Sequence, residues 1–483
     1  MLLTLVIVYL LVTIVIGLWA AKRVKNTADF VITGRKLPLA MIITTTFATW
    51  FGAETVLGIP ARFVDGGLNA VVEDPFGAGL CLVLVGMFFA GKLYKFTLLT
   101  ISDYYRERFG RWVELGCSLM IILSYLGWVS AQVTALGLVF NVLSAGEISV
   151  PLGMVLGTLT ILAYTLFGGM WSVAVTDFLQ MIVLVIGLVI LVVFAGQQAG
   201  GADKVLALAN SKDMFRFLPA PNFKDTIFFV AAGITMMFGS IPQQDIFQRV
   251  MSAKDVKAAT RGPVIGGLCY IVFAFLPMFL VASAMIIMPE QTASLLKTDP
   301  QKVLPTLVLE HMPVAMQVMF FGALLSAIMS TASATLLAPS VTFVENIWRP
   351  FVRRRADRQE LKAMRVTVLI FSVCVCLYAI LLRGTSIYEQ VAGAYQVTLV
   401  GAFVPLLAGL YWKRATTQGA VFSIVLGVLT WVLFLATPAG QVFPGQLAGF
   451  LMAITGMVVG SLGPQALKNL HGSHHHVVGL PST

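Results

Sequence analysis

Thirteen successive runs of predominantly apolar residues constrain this chain more than any other feature. A helix needs about 20 such residues to cross the hydrocarbon core of a bilayer. In lipid each backbone polar group must be satisfied within the protein, and a helix does this inside a single segment. The runs lie near 2–20, 38–60, 75–97, 113–143, 149–168, 173–197, 226–246, 263–288, 313–346, 364–383, 389–412, 418–437 and 443–464. They predict an all-α polytopic membrane protein. Of the 483 residues 58% are apolar and 11% charged, where a soluble domain carries roughly 25% charged residues. A mean hydropathy of +0.90 excludes a soluble enzyme with one anchor. It also excludes a transmembrane barrel, whose strands alternate polar and apolar residues. The first run has Lys22, Arg23 and Lys25 behind it and no basic residue ahead, so it reads as a span and not as a cleaved leader.

An odd number of spans puts the termini on opposite sides. With the N-terminus outside, the inner segments hold about three quarters of the Lys and Arg, the bias expected of cytoplasmic loops. The clusters are Lys22–Lys25, Lys92–Arg111, Arg249–Arg261 and Arg349–Arg365, the last including Arg353, Arg354 and Arg355. The sequence thus predicts an N-out, C-in protein of the plasma (cell inner) membrane. Its net charge of +10 faces lipid headgroups and implies no nucleic-acid partner. Cys81, Cys117, Cys269, Cys374 and Cys376 are odd in number and lie within or beside apolar runs, which argues against a disulfide framework. His474, His475 and His476 share no helical face and read as a solvated tail, so no transition-metal site is expected. There is no phosphate loop and no nucleophile constellation, which argues against an enzyme and against a primary pump.

Two runs are interrupted. The second contains TTTFATWFGAETVLGIP, with Gly52, Gly58 and Pro60; the seventh contains AAGITMMFGSIPQQDIF, with Gly239 and Pro242. Interrupted helices in corresponding positions are the sequence mark of a transporter built from inverted repeats. The seventh lies five spans on from the second, so the predicted organisation is an extra helix and loop (1–37), a first five-helix repeat (38–197), an external loop (198–225), a second repeat (226–412), two further helices (413–464) and a cytoplasmic tail (465–483).

Ionisable residues at membrane depth default to function. Glu54 stands inside the first interruption, Asp74 at the mouth of the third run, and Asp177 near the start of the sixth. The ninth run carries Ser326, Ser330, Thr331, Ser333 and Thr335. Such hydroxyls commonly bond across packed helices; beside the open carbonyls of an unwound helix they can also replace the hydration shell of a small cation. Trp50 and Trp128 offer ring faces that attract ammonium groups, or simply pack the interior. Gln132 lies one turn from Trp128. Gln243 and Gln244 follow Pro242, where they either contact a solute or cap freed backbone groups. Gln396, in the eleventh run, joins the candidate solute contacts.

These residues resemble the sodium:solute symporter family. The stretch from Tyr164 to Gln180, through Gly168, Gly169, Ser172, Thr176 and Asp177, is similar to one family signature. Gly409 to Arg414, followed by Gly419 and Ala420, is similar to the other. The resemblance spans about residues 5 to 460 and implies the five-plus-five, LeuT-like inverted-repeat fold. It implies a sodium site formed by the carbonyls of Ala48, Phe51 and Ala327 with the side chains of Ser330 and Thr331. Some members hold a second cation on an aspartate matching Asp177 and a hydroxyl matching Ala327; here only the aspartate is kept, and one sodium per cycle is expected. Within the family, Ala48–Trp50, Phe247–Val250 and the surroundings of Trp128 resemble the choline-transporter branch; a proline-symporter branch is also similar, although its members carry an aspartate where Trp50 stands. Trp50 and Trp128 match two cage aromatics, Ala78 and Gln243 replace two others, and Glu54 replaces a glycine. Sugar-transporting relatives use polar residues matching Thr55, Asp74 and Gln243. The expected activity is sodium-coupled import of a small polar solute, amine-bearing or zwitterionic, by alternating access, with a monomer sufficient and membrane lipids as surroundings. The rivals are a proton-coupled carrier acting through Glu54 or Asp177, and a solute sensor without transport.

Overall fold

The computed structural model describes residues 2–351, 357–382 and 384–467. Arg353, Arg354, Arg355, Arg383, Lys468 and His474–His476 lie outside them. Among the described residues there is no strand; the sole non-helical ladder contact is a bridge between Leu37 and Ala253. Ten helices are long and apolar enough to cross a membrane, and an eleventh span arises when one bent pair is taken together.

The sequence count of thirteen differs from this at two joints. The runs at 149–168 and 173–197 form one continuous element, Val150–Gln198, broken only at Gly169 (φ 48, ψ −140). A β-carbon there would stand 2.4 Å from the Phe30 carbonyl oxygen, so both the conformation and the close approach demand glycine. The run at 38–60 divides instead. Leu39–Trp50 is a separate helix of 12 residues. Glu54–Gly66 continues through a tight turn at Gly67 into the third run, ending at Leu93. Gly67 has φ 65, and the backbone of Met214 packs against it, its oxygen accepting from Leu68 N at 2.8 Å. The outer loop after residue 198 therefore folds back over the start of the third run.

The innermost element is Val314–Thr342, fully buried from Phe320 onwards except at Gly322. Its Ala, Ser and Thr side chains let neighbouring backbones approach closely, the usual basis of helix association in membranes. Val150–Gln198, Arg111–Leu143 and Leu39–Trp50 all pack on it. Leu2–Ala21 and Asp357–Leu381 lie outside this core, with Val15 at 65% and Leu381 at 81% exposure. Such exposed apolar faces belong against lipid tails and not water. All five cysteines are free.

The two interrupted runs are both broken in the structure. Leu39–Trp50 ends where Phe51 takes φ −86, ψ 71, and helix resumes at Ala53–Glu54. Phe223–Gly239 and Gln244–Ser252 meet at 44°; Pro242 supplies no donor to the gap, and Gln243 takes an extended conformation.

Candidate functional site

The hydroxyls of the Val314–Thr342 helix sort themselves by their partners. Thr335 returns to Thr331 O at 2.7 Å and Ser333 to Ser330 O at 3.0 Å, while Ser326 donates to Gly322 O at 2.7 Å and also meets Tyr9. This back-bonding to the helix's own carbonyls is ordinary for membrane hydroxyls. Ser330 and Thr331 behave differently. Ser330 donates across to Asp177 Oδ1 at 2.6 Å. Thr331 Oγ1 is buried and has no hydrogen-bond partner, an arrangement that costs free energy unless something else meets it.

Thr331 lies beside the first helix break. A β-carbon built on Gly52 would stand 2.7 Å from Thr331 Oγ1, 2.6 Å from Glu54 Oε2 and 3.0 Å from Gln132 Oε1. Oxygens thus crowd the flank of a residue that has no side chain to fill the space. An orphaned hydroxyl, an irregular backbone and three oxygens gathered at one point suit a small hard cation. The residues present fit sodium. Ala48, Phe51 and Ala327 are buried around the same break, at 2%, 0% and 1% exposure.

Asp177 is fully engaged. Thr45 donates to its Oδ2, Ser330 to its Oδ1, and Arg249 lies 4.0 Å away. Arg249 is 1% exposed; the charge pattern of the sequence had set it among the inner-loop cations. The second broken helix carries it inward. Its guanidinium donates to Asp245 O at 2.7 Å, to Thr45 O at 3.2 Å and to the Thr49 hydroxyl, with Asp245 Oδ2 3.9 Å away. One guanidinium therefore joins both broken helices and serves two buried carboxylates. The i, i+4 spacing of Asp245 and Arg249 just after Pro242 is the signal that could have found it.

Trp50 and Trp128 come together, joined by Tyr395, which sequence reasoning missed. The ring centroids are 5.6 Å (Trp50–Trp128), 5.8 Å (Trp50–Tyr395) and 5.3 Å (Trp128–Tyr395) apart. Tyr125 stacks on Trp128 at 6.0 Å. At these separations the rings pack on one another. Trp50 Nε1 and the Tyr395 hydroxyl are buried without partners. Trp128 Nε1 donates to Glu54 Oε1 at 3.0 Å and Gln132 Nε2 to Glu54 Oε2 at 2.6 Å, while Gln132 Oε1 accepts from Ala53 N at 2.9 Å.

The remaining predicted residues divide. Thr55 lies 2.9 Å from the Tyr270 hydroxyl, which donates to Asp74 Oδ1; Asp74 Oδ2 is buried and unpartnered. Gln243 donates to Ser124 Oγ at 2.9 Å and keeps an unpartnered carbonyl oxygen. Gln244 is a backbone pin, accepting from Ile101 N at 2.8 Å and donating to Leu99 O at 3.1 Å. Gln396 is turned away from the breaks, its Oε1 accepting from Trp431 Nε1 at 3.0 Å. Two cavities, of about 560 and 400 Å³, lie away from the breaks, against Trp112 and Thr417 and against Lys92 and Tyr104.

Helix breaks flanking a buried oxygen cluster at the centre of a membrane bundle define a secondary transporter architecture. The chain belongs to the sodium:solute symporter family, whose profile matches residues 30–427; the family and the relatives below are transporters and not enzymes. It is 28% identical to the human high affinity choline transporter 1 over 452 residues, covering 90% of this chain and 76% of that protein. It is 27% identical over 469 residues to the high-affinity proline transporter PutP of Bacillus subtilis, covering 94% and 96%. In structure it is similar to a Na+-coupled sialic acid symporter in a substrate-bound outward-open state, with a TM-score of 0.81, 20% identity, and 96% and 98% coverage. The fold is therefore that of the LeuT-like transporters.

Proposed function

We propose that this protein is a sodium-coupled secondary active symporter importing a small polar organic solute, amine-bearing or zwitterionic, by alternating access. The observation that carries the reading is the buried, partnerless Thr331 hydroxyl facing the break at Phe51–Gly52. The carbonyls of Ala48, Phe51 and Ala327 and the side chains of Ser330 and Thr331 hold the ion. Because Ser330 gives its proton to Asp177, its lone pairs remain free to face a cation. Bound sodium ties the first broken helix to Val314–Thr342. The solute meets Trp50, Trp128 and Tyr395, with Glu54, Gln132, Thr55, Asp74 and Gln243 as polar contacts; the partnerless atoms it satisfies are Trp50 Nε1, the Tyr395 hydroxyl, Asp74 Oδ2 and Gln243 Oε1. Gln396 supports the Trp431 side of its helix instead. Arg249 fills the place of a second cation at Asp177, consistent with one sodium per cycle.

The reading includes thirteen spans. Val150–Gln198 counts as two about Gly169, and Glu54–Leu93 divides at Gly67, its first part completing the span begun by Leu39–Trp50. This count and the charge bias give an N-out, C-in chain, with 38–197 and 226–412 as the repeats.

A ligand shifts a conformational equilibrium only by its differential affinity for the two states, and the coupling is reciprocal. Sodium therefore tightens the solute and the solute tightens sodium. The test is thermal stabilisation of the purified protein by amines, amino acids, sugars and carboxylates, each with and without sodium, followed by uptake of any hit into proteoliposomes. Stabilisation and uptake that both require sodium bear the reading out. Uptake indifferent to sodium and driven by a pH gradient would overturn it in favour of proton coupling. Binding without uptake would make the protein a sensor.

A further inference from the structure

Glu54 is 2% exposed, yet no Lys, Arg or His of the described residues comes within ion-pair distance of it. A buried carboxylate without a compensating charge is among the costliest arrangements in a protein. The contrast with Asp177 and Asp245 is direct, since those two share Arg249. Glu54 is also held in one place: Trp128 fixes one oxygen and Gln132 the other. Both donors come from Arg111–Leu143, a helix unbroken over 33 residues.

The fixed carboxylate lies on the ion side of the break. Glu54 Oε2, Gln132 Oε1 and Thr331 Oγ1 all fall within 3.0 Å of the point where a β-carbon on Gly52 would stand. They come from three separate elements, the Glu54–Gly58 turn, Arg111–Leu143 and Val314–Thr342. The hydroxyl among them has no partner and the carboxylate has no counter-charge. Each lacks what a monovalent cation supplies.

We propose that Glu54, positioned by Trp128 and Gln132, belongs to the sodium site, so that the ion meets a full negative charge and not neutral oxygens alone. This rests on the sodium reading given above and refines it. Glu54 serves the ion, and a cationic solute group is left to the faces of Trp50, Trp128 and Tyr395. Binding of sodium then neutralises the Glu54 charge, which lets the broken helix close against its neighbours without that buried anion.

The test needs no solute. Purified protein in detergent is titrated with NaCl at constant ionic strength against KCl, and the sodium-dependent rise in Tm gives a midpoint. Glu54→Gln is expected to raise that midpoint at least about tenfold, since it removes a charge next to the ion; Thr331→Ala is expected to raise it as well. If Glu54→Gln titrates as wild type while Thr331→Ala is shifted, Glu54 lies outside the ion site and this inference falls while the symporter reading stands. If wild type itself does not respond to sodium, both fall. Should Glu54→Gln not fold, Glu54→Asp decides: it keeps the charge and shortens its reach, so a raised midpoint supports the inference and a wild-type midpoint overturns it.

Discussion

Replacing Arg249 with Met removes a guanidinium buried to 1% exposure, 4.0 Å from Asp177 and 3.9 Å from Asp245. It also removes donors to Thr45 O at 3.2 Å, Asp245 O at 2.7 Å and the Thr49 hydroxyl. Methionine keeps much of the volume and flexibility, so the loss is chiefly of charge and hydrogen bonds. Two unit charges 4 Å apart attract by about 4 kcal/mol at an effective dielectric constant of about 20. Breaking a buried pair typically costs about 3–5 kcal/mol, because the remaining partner stays buried without compensation. An unfolding entropy of about 2.1 cal/mol/K per residue makes 1 kcal/mol worth about 1 °C in a chain of this length. The expected fall in Tm is therefore about 3–5 °C. The assay is thermal unfolding in detergent of Arg249→Met, Asp245→Asn and the double variant. Once Arg249 is gone, neutralising Asp245 relieves one of the two orphaned carboxylates. The double variant should therefore lie above the sum of the single losses by at least about 1 kcal/mol. Strictly additive losses, or an Arg249→Met variant within about 1 °C of wild type, would refute the shared-guanidinium account.

Gly169→Ala places a methyl carbon 2.4 Å from the Phe30 carbonyl and forces a side chain into a positive-φ conformation; the Tm should fall by about 2 °C or more, seen by the same unfolding assay. Thr331→Ala should raise the sodium concentration for half-maximal uptake at least about tenfold while leaving potassium inert, and normal uptake at low sodium would remove Thr331 from the ion site. Tyr395→Ala should weaken sodium-dependent solute binding about tenfold or more, whereas Gln396→Ala should leave it within about twofold, measured by solute-induced thermal stabilisation. Equal losses at the two positions would mean that the helix presents a different face to the solute.

Much of this architecture is legible in the sequence because the bilayer is a severe solvent. It permits few alternatives to helix, so the apolar runs gave the spans. Gly52, Gly58 and Pro60 in the one run, and Gly239 and Pro242 in the other, marked the two breaks, because these residues resist continuous helix. Where the signal is local the runs and the helices divide differently. Gly168 and Gly169 resemble a loop between two spans, and in the structure a single residue at φ 48 kinks one continuous element there. Gln396 was named and Tyr395 was not because successive residues on a helix point about 100° apart, and sequence does not say which direction is inward. Arg249 was misplaced because a basic residue near a span end normally reports orientation; only the packing of the second broken helix against Thr45 and Thr49 shows that it is buried. Trp50, Trp128 and Glu54 were recognisable singly. That Trp128 and Gln132 both bind Glu54 depends on one face of Arg111–Leu143 meeting the break, which no local pattern records.

The bridge between Leu37 and Ala253 looks minor in a bundle of this size. Leu37 N donates to Ser252 O, and Lys254 N donates to Leu37 O, each at 2.9 Å. Leu37 lies just before the first broken helix and Ala253 just after the second. The stitch is made of main-chain atoms, so any residue but proline at 37 and 254 can supply its two donors. It fastens the two broken helices to each other at one end, at the entry to the first and the exit of the second.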